Sequence, residues 1–186
     1  YKMTQQVKKK NTVVISGEGA DELFWGYDRI FKWAHNLERP FKISEFDEYY
    51  CYGSHKDDEV IDFALEKVKG TSALEKIAYY FQTIHLEGLL RRVDNSTMMC
   101  SVEARVPFVD HRLVEMMAGT PFKWRIGNSF KEPLKRIFKD LITNKIITRK
   151  KIGFPVPLES IFASTSNKRG FDNWLDYNID LLKCKR

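Results

Sequence analysis

The stretch Ser16–Tyr27, S-G-E-G-A-D-E-L-F-W-G-Y, decides how the chain is read. It follows a short apolar run, Thr12 to Ile15, which predicts a buried β-strand. A strand that runs into a glycine turn presents backbone N–H groups and carboxylates at its C-terminal end. Open α/β sheets bind their ligands at that edge. Gly17 and Gly19 allow positive φ or a close approach of backbone to a ligand. Glu18, Asp21 and Glu22 are too many acids to bury without partners. They require a metal, a role as a base, or a cation. A glycine turn followed by an acidic helix N-terminus is also what a helix dipole favours without any ligand.

The rest of the 186 residues sets bounds on the function. The length suits one domain with a real core. Hydrophobic content of 43% and aromatic content of 13% fit a soluble globular protein. No run reaches the roughly 20 apolar residues of a membrane span. Tyr1 to Asn11 is polar and lysine-rich, without the apolar segment of a signal peptide. It reads as the tail of a helix, and the expectation is a piece of a longer polypeptide. Cys51, Cys100 and Cys184 lack metal-ligand spacing and predict free thiols in a reducing, cytoplasmic setting. The net charge of +6 gathers in Lys8–Lys10, Arg149–Lys151 and Lys183–Arg186. No DNA- or RNA-binding module accompanies these runs, so no nucleic-acid partner is expected; the terminal runs read as solvated faces, whereas the run at Arg149 sits directly before Gly153 and Phe154.

Helix dominates the remainder. Asp28 to Asn36 is predicted helical, with Ile30, Phe31 and Ala34 on one side. Lys56 to Lys69 reads as an amphipathic helix closed by Gly70. Ser72 opens a capping box with Glu75, ahead of a stripe of Leu74, Ile77, Ala78, Phe81 and Ile84. Gly88 is expected to break this region, and Leu89 to Met99 to form a second helix. Met98 and Met99 are expected in the core. Asp110 is the predicted N-cap of a helix over His111 to Ala118. Lys131 to Ile142 reads as a basic amphipathic helix, with Leu134, Ile137, Phe138 and Leu141 inward. Gly153 to Pro157 is a predicted rigid loop, and Arg169 to Leu182 a closing helix.

Two further stretches carry chemistry. Asp94–Arg112, D-N-S-T-M-M-C-S-V-E-A-R-V-P-F-V-D-H-R, sets Asp94, Glu103, Arg105, Asp110 and Arg112 among apolar residues. Burial would force these charges to pair. A fixed guanidinium at Arg105 would suit a phosphate. Thr148–Leu158, T-R-K-K-I-G-F-P-V-P-L, places cations before a glycine–proline loop, where a lysine can stabilise developing negative charge.

Together the three stretches resemble the synthetase domain of glutamine-dependent asparagine synthetases. The matching patterns are S-G-E-G-A-D-E-L-F-x-G-Y, then D-x-x-T-M-x-x-S-V-E-A-R-V-P-F-V-D-H-R, then R-x-K-x-G-F-x-x-P, in register from about Val13 to Leu158. The resemblance implies an α/β fold of the ATP-pyrophosphatase type (adenine nucleotide alpha hydrolase-like). Residues 1–186 would be its C-terminal part, mostly helical with one strand. It implies ATP and Mg²⁺, a carboxylate activated as an acyl-adenylate with release of pyrophosphate, and attack by ammonia from a glutaminase domain in the same or a partner chain. Aspartate is the implied acceptor. By resemblance, Ser16 and Gly17 match the backbone turn that contacts ATP. Glu18 matches the carboxylate that takes a proton from ammonia, and Asp21 a metal-side carboxylate. Lys151 matches the lysine that stabilises pyrophosphate, and Arg105 a further cation.

The departures are specific. The family's phosphate loop, S-G-G-x-D-S, and the N-terminal cysteine of its glutaminase domain are not in this sequence. The chain alone is therefore not expected to ligate. Without the preceding strands, the strand at Thr12 has no evident partner, and self-association or a mostly helical remainder is expected. Trp25 stands where the family usually has glycine, a bulky change expected at the rim of the site. Asn95 stands at a position often basic. Trp25 and the divergent Phe41 to Lys56 segment leave room for another acceptor, such as a sugar acid or a peptide; a non-catalytic synthetase module kept as a scaffold is a separate alternative, against which Glu18, Asp21 and Lys151 argue.

Overall fold

The computed structural model describes residues 2–41, 45, 46, 63, 66, 72–121, 124, 125, 129–150, 156–162 and 168–183. Elements are numbered over these residues only. The chain enters through α1 (Lys2–Lys8) and turns into β1 (Val13–Ile15). A single helical turn, α2 (Ala20–Leu23), follows the glycine loop and leads to α3 (Asp28–Asn36). Then come α4 (Ala73–Tyr80), a π-helical turn at Phe81–His85 and α5 (Leu86–Met98). Next are β2 (Glu103–Arg105), a 3₁₀ turn at Pro107–Val109 and α6 (His111–Ala118). The chain ends with α7 (Glu132–Ile137), α8 (Asn144–Thr148), α9 (Leu158–Ile161) and α10 (Gly170–Lys183).

The strand at Thr12 does have a partner. β1 and β2 pair in parallel, with Val13 opposite Glu103, Val14 opposite Ala104 and Ile15 opposite Arg105. The pairing extends past the strands: Glu103 N–H donates to Thr12 O and Ser16 N–H to Arg105 O, each at 2.8 Å. The sheet is not buried as expected. Val13 is 39% and Ile15 78% exposed. Side chains alternate across a strand, so these two share a face with Glu103 and Arg105. Among the described residues that face is open.

Two cores flank the motif stretch. Trp25, Ile30, Phe31, Ala34, Phe46, Ala73, Ile77, Tyr80 and Phe81 form the first. Leu23, Phe24, Leu86 and Met117 form the second, with Phe108, Val109 and Leu134 against it. Consecutive residues 23–25 thus insert into both, so α2 and its turn are pinned from two sides.

Local chemistry explains the helices that were predicted well. The α3 boundaries and its buried Ile30, Phe31 and Ala34 are as expected. The Ser72–Glu75 capping box forms in both directions, at 3.2 and 3.1 Å. Asp110 caps α6 by accepting from Arg112 N–H at 3.0 Å. Other expectations fail. Helix continues through Gly88, and the irregularity falls earlier, in the π-turn at Phe81–His85. Met98 and Met99 are 52% and 70% exposed, not core. Helix α7 ends at Ile137, leaving Ile137 and Leu141 67% and 78% exposed; only Leu134 of the expected stripe packs on a buried cluster. The proposed helix over 56–69 lies outside the described residues apart from Phe63 and Glu66.

Phe31 is fully buried, stacks on Trp25 at 5.3 Å and meets Phe81 at 5.4 Å. Phe31→Ala is expected to cost about 3–5 kcal/mol. Urea unfolding followed by circular dichroism reads this directly. A cost below about 1 kcal/mol would show that this core is not formed.

Candidate functional site

The site is the C-terminal edge of the two strands. Ser16, bonded to Arg105 O, opens the loop, and Gly17 follows it into open space, exposed and with nothing within 4 Å of a Cβ built there. Backbone N–H groups at such an edge are free to meet a ligand. Gly19 turns the chain back at φ 90°, where a Cβ would come within 2.7 Å of Val109 Cγ2. No side chain fits there, so glycine is required by both conformation and space. The turn delivers α2 with Asp21 and Glu22 on it.

The three acids meet different fates. Glu18 is half-buried on the loop. Asp21 pairs with Lys131 Nζ at 2.8 Å, both side chains about a quarter exposed at 26% and 28%. Lys131 reaches it from a left-handed backbone, φ 57°, at the start of α7. The gap for this pair is made by Gly26: a Cβ there would sit 1.8 Å from Asp21 Oδ1 and 2.3 Å from Lys131 Cε. Glu22 is buried, 1% exposed. Its Oε1 accepts the Tyr27 hydroxyl at 2.5 Å, and His85 Nε2 lies 3.8 Å away. Burial, above all, raises the Glu22 carboxyl above the usual range, against the lowering effect of the Tyr27 hydrogen bond. Burial likewise raises the Tyr27 hydroxyl. Burial and then the nearby Arg92 push His85 down to about 4. A separation of 3.8 Å from a carboxylate that itself resists ionisation makes a weak ion pair, so desolvation wins and His85 is neutral.

Arg105 lies at this edge through the register with Ile15. It is exposed, not buried, and its Nε donates to Glu103 Oε1 at 2.9 Å. The buried charge network expected among Asp94, Glu103, Asp110 and Arg112 does not form. Asp94 is exposed. Asp110 pairs locally with Arg112, whose guanidinium and backbone N–H hold the Asp110 carboxyl down to about 2. Glu103 and Arg105 alternate with apolar residues along β2 and face solvent. Trp25 is also corrected. It is 4% exposed and turned into the core, not at the rim. Its φ of 52° explains why glycine suits the position. The left-handed backbone costs roughly 1–2 kcal/mol. Stacking on Phe31, and Arg125 over the Trp25 ring at 4.4 Å, offset it. Arg125 is buried beneath the end of α6, donating to Ala118 O and Thr120 O, both at 3.0 Å. Burial alone lowers it to about 10.

Ser16, Gly17, Glu18, Asp21 and Arg105 are thus brought to one edge of the sheet. Lys151 lies outside the described residues. Sequence reasoning missed Lys131, Tyr27 and His85 at this edge. The surplus of acids was the available signal, since each needs a partner. No group of three or more metal-binding side chains occurs among the described residues. No described helix is long and apolar enough to cross a membrane.

A family model described as asparagine synthase matches residues 1–177. The chain belongs to the asparagine synthase family. Asparagine synthetase (glutamine-hydrolyzing) 3 of Bacillus subtilis (strain 168) is 27% identical over 168 residues, covering 81% of this chain and 27% of the relative. The Gallus gallus asparagine synthetase (glutamine-hydrolyzing) is 27% identical over 192 residues, covering 100% of this chain and 28% of its own length. The chain therefore spans under a third of these two asparagine synthetases. No solved structure matches it significantly.

The buried His85 makes a pH prediction. Its pKa is about 4 in the folded chain, against 6.5 ordinarily. A proton taken up below 6.5 favours the unfolded state, so His85 withdraws stability as pH falls from about 6.5 to about 4. The raised Glu22 acts in the opposite sense. In His85→Gln the acid-side loss over this window should shrink, read by urea unfolding at each pH. An unchanged pH slope would show that His85 is solvated and titrates normally.

Proposed function

We propose that the chain is the C-terminal part of an ATP-pyrophosphatase-type domain that makes an amide from aspartate, ATP and ammonia. The observation that carries this reading is the register of β1 with β2. It sets the start of the Ser16–Asp21 arc, with its two acids and open backbone, beside Arg105, while Lys131 pairs with Asp21 at the far end of the arc. Family membership supplies the reaction class, ATP-dependent amide synthesis, and the reducing, cytoplasmic setting fits it.

In this reading Ser16 and Gly17 offer backbone to the nucleotide. Glu18 takes a proton from ammonia as it attacks the activated carboxylate. A half-buried carboxylate on an open loop beside the nucleotide is placed for that role, which needs a base within hydrogen-bond reach of the attacking nitrogen. Arg105 and Lys151 stabilise negative charge on the departing AMP and pyrophosphate.

Asp21 would hold Mg²⁺. The donor set fits, since Mg²⁺ takes one or two carboxylates and completes its shell with phosphate oxygens and water. Lys131 would then share Asp21 with the metal. When bound, Mg²⁺ supplies charge neutralisation on the phosphate oxygens. Glutamine is the source of ammonia, through a glutaminase domain in the same or a partner chain. Trp25, being buried in the core, gives no ground for a different acceptor.

The test is product analysis with the complete gene product, aspartate, ammonia and MgATP. Asparagine, AMP and pyrophosphate should form together, and Glu18→Gln should lower the rate by roughly 10²-fold or more. ADP and phosphate in place of AMP and pyrophosphate would exclude the adenylate route. Full activity in Glu18→Gln would remove Glu18 from the chemistry.

A further inference from the structure

The reaction above leaves the most deeply buried acid among the described residues without a task. Glu22 follows Asp21 directly and is 1% exposed. Its partners come from two segments. Tyr27 lies on the far side of the left-handed turn at Trp25, and His85 closes the π-turn. The Tyr27 hydroxyl is 2.5 Å from Glu22 Oε1 and 3.4 Å from His85 Nε2. The Tyr27 ring is held between Phe81 at 4.9 Å and His85, edge-on at 5.6 Å.

Burying this carboxylate opposes folding, and an apolar side chain of the same volume would stabilise more. What a hydrogen bond adds is direction. Helix α2 is one turn long, too short to hold its own geometry. Leu23 and Phe24 press it against the second core, but apolar burial is non-directional. The backbone bonds Leu23 N–H to Gly19 O at 2.9 Å and Gly26 N–H to Asp21 O at 2.8 Å set its shape, not its place. The Glu22–Tyr27 bond, with His85 of the π-turn beside it, adds a short, oriented contact that limits how far α2 slides or rolls, as the Asp21–Lys131 pair does from the side of α7. π-turns recur at functional sites, and this one carries the histidine of the cluster.

We propose that Glu22, Tyr27 and His85 are positioning residues that hold the Ser16–Asp21 arc in its reactive geometry. This rests on the amide-ligase reading above. They act through the backbone that Glu22 shares with Glu18 and Asp21, and they touch no substrate.

The test uses the complete gene product. Tyr27→Phe removes the hydroxyl and keeps the ring. A displacement near 1 Å should lower kcat for amide synthesis about 10- to 100-fold, with KM for ATP and aspartate changed by less than about twofold. Amide hydrogen exchange across residues 16–27 should speed up in the same variant. Glu22→Gln still accepts the Tyr27 hydroxyl and should keep kcat within about threefold, with exchange unchanged. If Tyr27→Phe does not fold, His85→Gln is read in the same way.

Wild-type kcat together with wild-type exchange in a folded Tyr27→Phe overturns the proposal. Loss of activity in Glu22→Gln with unchanged exchange also overturns it, and gives Glu22 a direct chemical role. Faster exchange in Tyr27→Phe of a polypeptide that makes no amide sustains the positioning and overturns the ligase reading instead.

Discussion

The parallel pairing of β1 with β2 is the constraint on which the rest depends. Ser16 N–H meets Arg105 O, and Glu103 N–H meets Thr12 O. Those bonds join two stretches that are far apart in sequence. Closing a loop of that length costs entropy, though the cost grows only slowly with length. Two three-residue strands cannot repay it alone. The two cores do, because Leu23, Phe24 and Trp25 plug into them directly after the glycine loop. The edge of the sheet is therefore a consequence of packing behind it. What faces outward there, the open backbone at Gly17 and the side chains of Arg105 and Glu103, is left for a ligand or for solvent.

Three neighbouring acids on this edge divide the work. Asp21 is balanced by a lysine, and both side chains remain about a quarter exposed, at 26% and 28%. Glu22 is desolvated and held by a hydroxyl, so it serves as an anchor. Glu18 stays on the loop, half-buried. The proposed anchor, Glu22, is one residue from Asp21 and four from Glu18. Gly26 is part of the same arrangement, since any side chain there would expel the Asp21–Lys131 pair. The left-handed backbone at Trp25 and Lys131 belongs with it too. Strain of that kind persists only where surrounding contacts impose it. Here those contacts are the Phe31 and Arg125 faces of Trp25 and the carboxylate of Asp21.

Features set by local chemistry were legible in the sequence. Helix α3, the Ser72–Glu75 box and the Asp110 cap each depend on residues within a few positions of one another. The glycine–acid loop was legible as a turn at the end of a strand, because glycines and acids follow a short apolar run there. Strand β2 was not legible. It is three residues long, E-A-R, and its two charges point to solvent, so it carries no apolar run. The burial expected of Arg105 failed because alternation along the strand, not average hydropathy, decides which residues face inward; Asp94 and Arg112 lie on helices, on faces turned to solvent. The π-turn has no sequence signature, and the inward turn of Trp25 follows from a positive φ that no neighbour announces. Lys131 reaches Asp21 through tertiary placement alone. Lys151 is a reading from motif and family only.

The most direct test of the account is pyrophosphate–ATP exchange by the complete gene product, supplied with Mg²⁺, with and without aspartate. Exchange that depends on aspartate is the predicted result. It would establish that this edge adenylates a carboxylate. Exchange only with another carboxylate would keep the mechanism and change the acceptor. Absence of exchange with every carboxylate, from folded protein, would contradict the account and leave the motif stretch as architecture alone.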